Sequence, residues 1–161
     1  MAPRSEPPNP PLPDEVAEEI GKHLQLTLVE LIALSLAGKQ LHWNVYGRGF
    51  LSAHRHLDRL VDEWRELEDA VAERAATVGI APEGSAATVL ELADLRPLDP
   101  GFTEVECAFA RVCAQLWEVA LRVRQRSELL GALDAVSQDV LVNAGRKLEE
   151  QLWMTRAQLP D

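Results

Sequence analysis

The sequence predicts an all-α protein, a four-helix bundle with one long crossover. Prolines and glycines, and the near-equal segments between them, carry that reading. Six of the ten prolines lie in the first thirteen residues, so 1–13 is expected to be an extended, flexible proline-rich arm ahead of a single domain over 14–161. The other four are Pro82, Pro97, Pro100 and Pro160, which leaves two long proline-free stretches rich in Leu, Ala, Glu and Arg, all strong helix formers. Gly47-Arg48-Gly49 divides the first stretch and Gly131 the second. The predicted helices are 14–46, 50–78, 102–130 and 132–159, each about 30 residues and so roughly 45 Å long. Short first and last connections make two αα-hairpins, joined by the long connection 79–101. Within it 86–94, preceded by Ser85 as N-cap, reads as a short helix. No strand signal and no internal repeat is found.

Composition narrows the class. The 161 residues are 47% hydrophobic and 26% charged, an ordinary globular balance that excludes a disordered or collagen-like chain. No apolar run reaches ~18 residues and no signal-peptide pattern opens the chain, so the expectation is a cytoplasmic protein that neither spans nor binds a membrane. Cys107 and Cys113 lie six apart, on different sides of one helix, and read as unpaired core residues in a reducing compartment. The net charge of −10 argues against a nucleic-acid footprint spread over the whole surface and suits a cationic partner, metal ions among them.

The second helix can be checked by angle, at roughly 100° per residue with His54 as zero. Leu57, Leu60, Trp64, Leu67, Val71 and Val78 then fall between about −60° and −140°, one apolar stripe for the bundle core. The first helix is apolar over a wider arc, from Leu24 through Leu36. Burial on two sides is therefore expected, the second at a subunit interface.

On the same wheel His54, Asp58, Asp69 and Glu73 lie at about 0°, 40°, 60° and 100°, along one flank of the core stripe. His54/Asp58 and Asp69/Glu73 are i,i+4 pairs, a spacing at which side chains can share a ligand, and imidazole with carboxylate suits iron among the first-row metals without excluding zinc. His54 and Glu73 are about 28 Å apart along the axis, too far for one ion. Either each pair is a separate site, or the two ends meet across a two-fold axis. In the second case His42, His54 and Asp58 of one chain join Asp69 and Glu73 of another. Against both stands a plain alternative, in which the acids form a solvated face and His42, beside Trp43, packs or caps a helix end.

The run Lys39-Gln40-Leu41-His42-Trp43-Asn44-Val45-Tyr46-Gly47-Arg48-Gly49-Phe50, then His54, Asp58, Asp69 and Ala72-Glu73-Arg74, closely resembles the Dps family of mini-ferritins, DNA-binding proteins from starved cells. The histidine step of 12 and the later steps of 4, 11 and 4 match. Ser137-x-Asp139 and Leu148-Glu149-Glu150-Gln151-Leu152-Trp153-Met154 lend support, so the likeness spans nearly all of the chain after the arm. It implies a ferritin-like bundle with a short helix in the crossover between helices two and three, assembled as a dodecamer. It also implies a ferroxidase that oxidises Fe(II), preferably with hydrogen peroxide, at inter-subunit sites and stores ferric mineral in a hollow cage, limiting oxidative damage. His42, His54, Asp58, Asp69 and Glu73 match the family's catalytic metal ligands, and Trp43 its aromatic residue beside the site. Asp134 and Asp139 lie where the family has acids around a pore that admits iron, although Asp134 also suits a helix N-cap. No glutamate stands three residues before any of the four histidines, which disfavours an iron site inside one subunit's bundle.

Family members that bind DNA commonly use a basic terminal arm. Here Arg4 is the only basic residue in 1–19, against five acids, and twelve chains at −10 each would carry about −120. Arg122, Arg124 and Arg126 read as ion-paired, and no DNA-binding residue is assigned. Weak or absent DNA binding is expected, with nucleoid association left open. The rival readings are a DNA-compacting nucleoid protein and a cage that binds zinc or another metal without turnover. His23 and His56 are expected to be surface residues.

Overall fold

A computed structural model describes residues 12–160. In chain order it contains α1 (Asp14–Asn44), β1 (Val45–Tyr46), α2 (Phe50–Thr77), α3 (Ala86–Leu92), β2 (Thr103–Glu104), α4 (Val105–Leu130) and α5 (Ala135–Arg156). The long helices pair as the hairpins α1–α2 and α4–α5, which pack together as a four-helix bundle, while α3 lies in the crossover against α1. The fold class is therefore as expected. The predicted arm falls outside the described residues except for its last two.

Helix ends follow local chemistry. The chain reverses between α1 and α2 through Gly47 and Gly49, at φ 109° and 80°, where a side chain would be strained. Ser85 caps α3 by accepting from the Thr88 N–H at 3.3 Å. Asp134 caps α5 by accepting from the Ser137 N–H at 2.7 Å, which starts that helix three residues later than expected. α4 likewise starts at Val105, later than the expected 102, because Thr103–Glu104 pairs in parallel with Val45–Tyr46. This two-residue bridge is a strand element where none was predicted; it is too short to show a period.

The α2 stripe lies in the core, with Leu57, Leu60 and Val78 fully buried and Trp64 1% exposed. The Trp64 indole donates to Gln151 Oε1 at 2.8 Å, and the Gln151 amide donates to Glu63 at 2.7 Å. A Cβ on Gly38 would lie 2.5 Å from the Trp64 ring, so only glycine lets α1 and α2 approach this closely. Leu24, Val29 and Leu31 on α1 are fully buried within one chain, whereas Leu36 is exposed. The wide apolar arc of α1 thus needs no subunit interface over most of its length. Part of the cover is the crossover, which Gln25 ties down with two bonds to the Glu83 backbone and which packs Gly84 on Ile32.

Three other expectations are corrected. Cys107 is exposed and Cys113 half-buried, so neither is a core residue. His56 and His23 are half-buried rather than free on the surface. By length and composition α1 does qualify as a membrane-crossing helix, with mean hydropathy 1.3 over its most apolar window, but 56% of that window is buried inside the bundle.

Candidate metal centre

His42 stands in the last turn of α1 and His54 in the second turn of α2, brought together by the glycine turn. Their rings stack at 3.7 Å and 22°, with Phe50 tilted against His54 at 5.2 Å. His42 Nδ1 lies 2.9 Å from the His54 carbonyl, and His54 Nδ1 lies 2.9 Å from the His42 carbonyl. A carbonyl oxygen only accepts, so both Nδ1 atoms carry the proton and both Nε2 atoms keep a lone pair for a ligand. The His42 carbonyl is one of the last four of α1, which have no intrahelical partner, so the contact satisfies backbone and ring together. Orienting a histidine by a bond from its other nitrogen is how metal-ligating imidazoles are commonly held.

Asp58, one turn beyond His54 on α2, places Oδ1 3.8 Å from His42 Nδ1 and 2.5 Å from Lys39 Nζ. The Lys39 ammonium, bonded to it, holds the Asp58 carboxyl below its usual range; partial burial opposes this and the two histidines assist. Lys39 received no role from the sequence. The clue is its i,i+3 spacing from His42, which puts both on one face of α1.

Asp69 and Glu73 are exposed further along α2 and make no hydrogen bond or ion pair among the described residues. The structure therefore brings His42, His54 and Asp58 together in one chain and leaves the other two apart, with Asp69 about 16 Å beyond Asp58 along the helix. No group of three or more His, Cys, Asp or Glu among the described residues converges closely enough within one chain to hold an ion. Trp43, next to His42, is 66% exposed, so it is not a packed core aromatic.

The two pore candidates differ. Burial alone would raise the Asp134 carboxyl, but the Ser137 hydroxyl and N–H and the Arg74 guanidinium together outweigh it and hold it down at about 2. With Arg74 at 2.7 Å and the α5 cap to maintain, Asp134 fits the capping alternative. Asp139 is exposed and makes no such bond among the described residues. The clustered arginines are paired as expected: Arg122 and Arg126 with Glu30, and Arg124 with Glu149.

A ferritin-like domain model matches residues 21–161. The chain is 33% identical over 150 residues to a DNA protection during starvation protein of Mycolicibacterium smegmatis, covering 93% of this chain and 82% of that one. It is 35% identical over 140 residues to the fine tangled pili major subunit of Haemophilus ducreyi, covering 87% and 74%. Its backbone matches Mycobacterium smegmatis Dps with a TM-score of 0.90 at 32% identity, over 94% of this chain and 92% of that one.

Proposed function

We propose, from the premise that this chain belongs to the Dps family of ferritin-like proteins, that it oxidises ferrous iron with hydrogen peroxide and stores the ferric product in a hollow dodecamer. The observation that carries the reading is the histidine pair, whose Nδ1 atoms are locked on carbonyls so that two Nε2 lone pairs are left for a ligand, with Asp58 Oδ1 3.8 Å from His42 Nδ1. Asp69 and Glu73 supply the complement. A two-fold contact that sets the far end of one α2 against the near end of another would bring Asp69 and Glu73 of the partner subunit to this half-site, and the symmetry makes two such sites. Exposed Leu36, Trp117 and Trp153 give the chain apolar surface of the kind that assembly covers.

In this scheme iron is the substrate. The two imidazoles and Asp58 bind the ferrous ion, and the partner's carboxylates add negative charge, which favours the ferric product. Two ferrous ions give one electron each to one peroxide, which breaks its O–O bond and leaves two hydroxides, so no hydroxyl radical is released. Trp43, exposed beside His42, is placed to intercept radicals that escape this pairing. Asp139 is proposed as the pore acid that draws iron inward. The acidic balance supports weak or absent DNA binding at physiological salt.

The test is stopped-flow oxidation of Fe(II) by peroxide, with iron and protein both measured across a sizing column afterwards. The double variant His42→Ala with His54→Ala is expected to lose at least about 100-fold in initial rate while the assembly elutes unchanged. Unaltered kinetics would refute the site. Metal retained at about two ions or fewer per chain, without peroxide consumption, would favour the zinc-type cage, since the donor set alone does not choose the metal.

A further inference from the structure

Next to the histidine half-site α2 carries a basic cluster, in a chain whose acids outnumber its bases by 26 to 16. Arg55, His56 and Arg59 face Met154 of α5 and Gln158 beyond it across an open cleft of about 860 Å³, and no acidic side chain lines it. With His54 again as zero, Arg55, Arg59 and His56 point to about 100°, 140° and 200°, and Arg55 shares the direction of Glu73, which lies roughly 27 Å further along the helix. None of His42, His54 and Asp58 lines the cleft.

Its arginines have little to bind within the chain. Arg55 is exposed and makes no hydrogen bond or ion pair among the described residues. Arg59 reaches Glu63 only at 3.9 Å and remains 56% exposed. Its other contact is a bond donated to His56 Nδ1 at 3.2 Å. That direction follows from the neighbours. Thr155 donates its hydroxyl proton to the Gln151 carbonyl at 2.8 Å, so its oxygen accepts from His56 Nε2–H at 2.9 Å, leaving Nδ1 as an acceptor. Held also edge-on against Phe109 at 5.6 Å, His56 is a positioning residue that aims Arg59 into the cleft.

The start of α2 has no anionic cap. Its first turn holds no acid and its N-cap, Gly49, gives no side-chain bond. Arg55 and Arg59 stand in its second and third turns. Arg55 and Arg59 are i,i+4 neighbours, and guanidinium forks match the oxygens of a tetrahedral oxoanion. We propose that this cleft binds a small oxoanion of the phosphate class between Arg55 and Arg59. The inference does not depend on iron oxidation.

The experiment is calorimetric titration of the metal-free full chain with inorganic phosphate at low ionic strength, with a short DNA duplex titrated in parallel. Saturable binding of one phosphate per chain is expected, displaced by sulfate and weakened at least tenfold by Arg55→Gln with Arg59→Gln. Arg146→Gln, which removes one positive charge from α5 outside the cleft, is expected to leave it unchanged. Should the glutamine pair disturb assembly, Arg55→Lys with Arg59→Lys keeps the charge and removes the fork, and a several-fold loss is expected there. No saturable heat, equal affinity in the arginine variants, or an equal loss in Arg146→Gln would each overturn the site. Duplex binding through the same arginines without phosphate binding would make this a nucleic-acid face instead.

Discussion

Glu30 on α1 is 2% exposed and meets Arg122 at 2.6 Å and Arg126 at 2.7 Å, whereas Asp69 and Glu73 on α2 are exposed and meet no partner among the described residues. Both regions belong to long helices of one acidic chain, yet only the first is complete within it. The Arg122 fork also donates to the Asp94 carbonyl at 2.6 Å, so Glu30 ties α1, α4 and the crossover into one unit. A carboxylate that closes the fold is buried and fully bonded. In the proposed reading, Asp69 and Glu73 stay outside and unengaged because a second copy completes their site.

The largest effect should come from breaking the first region. Glu30→Ala leaves two guanidinium groups facing an emptied buried position, a change expected to cost about 3–5 kcal/mol. Denaturant unfolding at fixed protein concentration checks it, with Glu149→Ala as comparator. The Glu149 pair with Arg124 is 45% and 60% exposed, and such pairs contribute about 1 kcal/mol or less. Equal losses in the two variants would remove the distinction between the regions.

The second region should respond in the opposite way. Asp69→Asn with Glu73→Gln is expected to leave unfolding within about 0.5 kcal/mol of the parent, as exposed substitutions usually do. Peroxide-driven iron oxidation should fall about 100-fold, equivalent to about 2.7 kcal/mol of barrier. Mixing this variant with His42→Ala/His54→Ala sharpens the comparison. If each site draws on two chains, mixed assemblies regain some sites that hold all five donors, and the rate should partly recover. A rate that stays at the level of the separate variants, in assemblies shown to contain both chains, would refute a site shared between two chains.

How far these features were legible in the sequence depended on the range of the interactions that set them. The α2 stripe from Leu57 to Val78 is a local period, and the structure buries it as expected. The His54, Asp58, Asp69 and Glu73 flank was visible for the same reason, although no single sequence says what faces its far end. The half-site's internal locking was not visible, because it depends on how the turn aligns the His42 and His54 carbonyls. Long-range contacts were the hardest. His56 reads as a surface residue until Thr155, 99 positions away, is seen to hold its ring. The helical pattern carried past residues 103–104 because their pairing with Val45–Tyr46 lies outside any local window.

The smallest expected effect concerns Asp134, a carboxylate that shares traits of both regions. It belongs with Glu30 in being engaged by an arginine, yet only a capping turn surrounds it. Its folded-state value of about 2 lies below the ordinary 3.8. A carboxyl depressed by folding contributes its stability fully above its unfolded value and loses it as pH falls through the folded one. Asp134 should therefore support the fold above about pH 4 and cease to do so towards pH 2. Asp134→Asn keeps a competent N-cap but removes the charge that meets Arg74, so it should cost about 1 kcal/mol at neutral pH. Below pH 2 the parent carries a neutral acid at the same position, and the gap between the two proteins should close. Thermal unfolding of both across this range measures it. A gap that stays constant with pH would mean that the cap alone, and not its pairing with Arg74, is what Asp134 contributes.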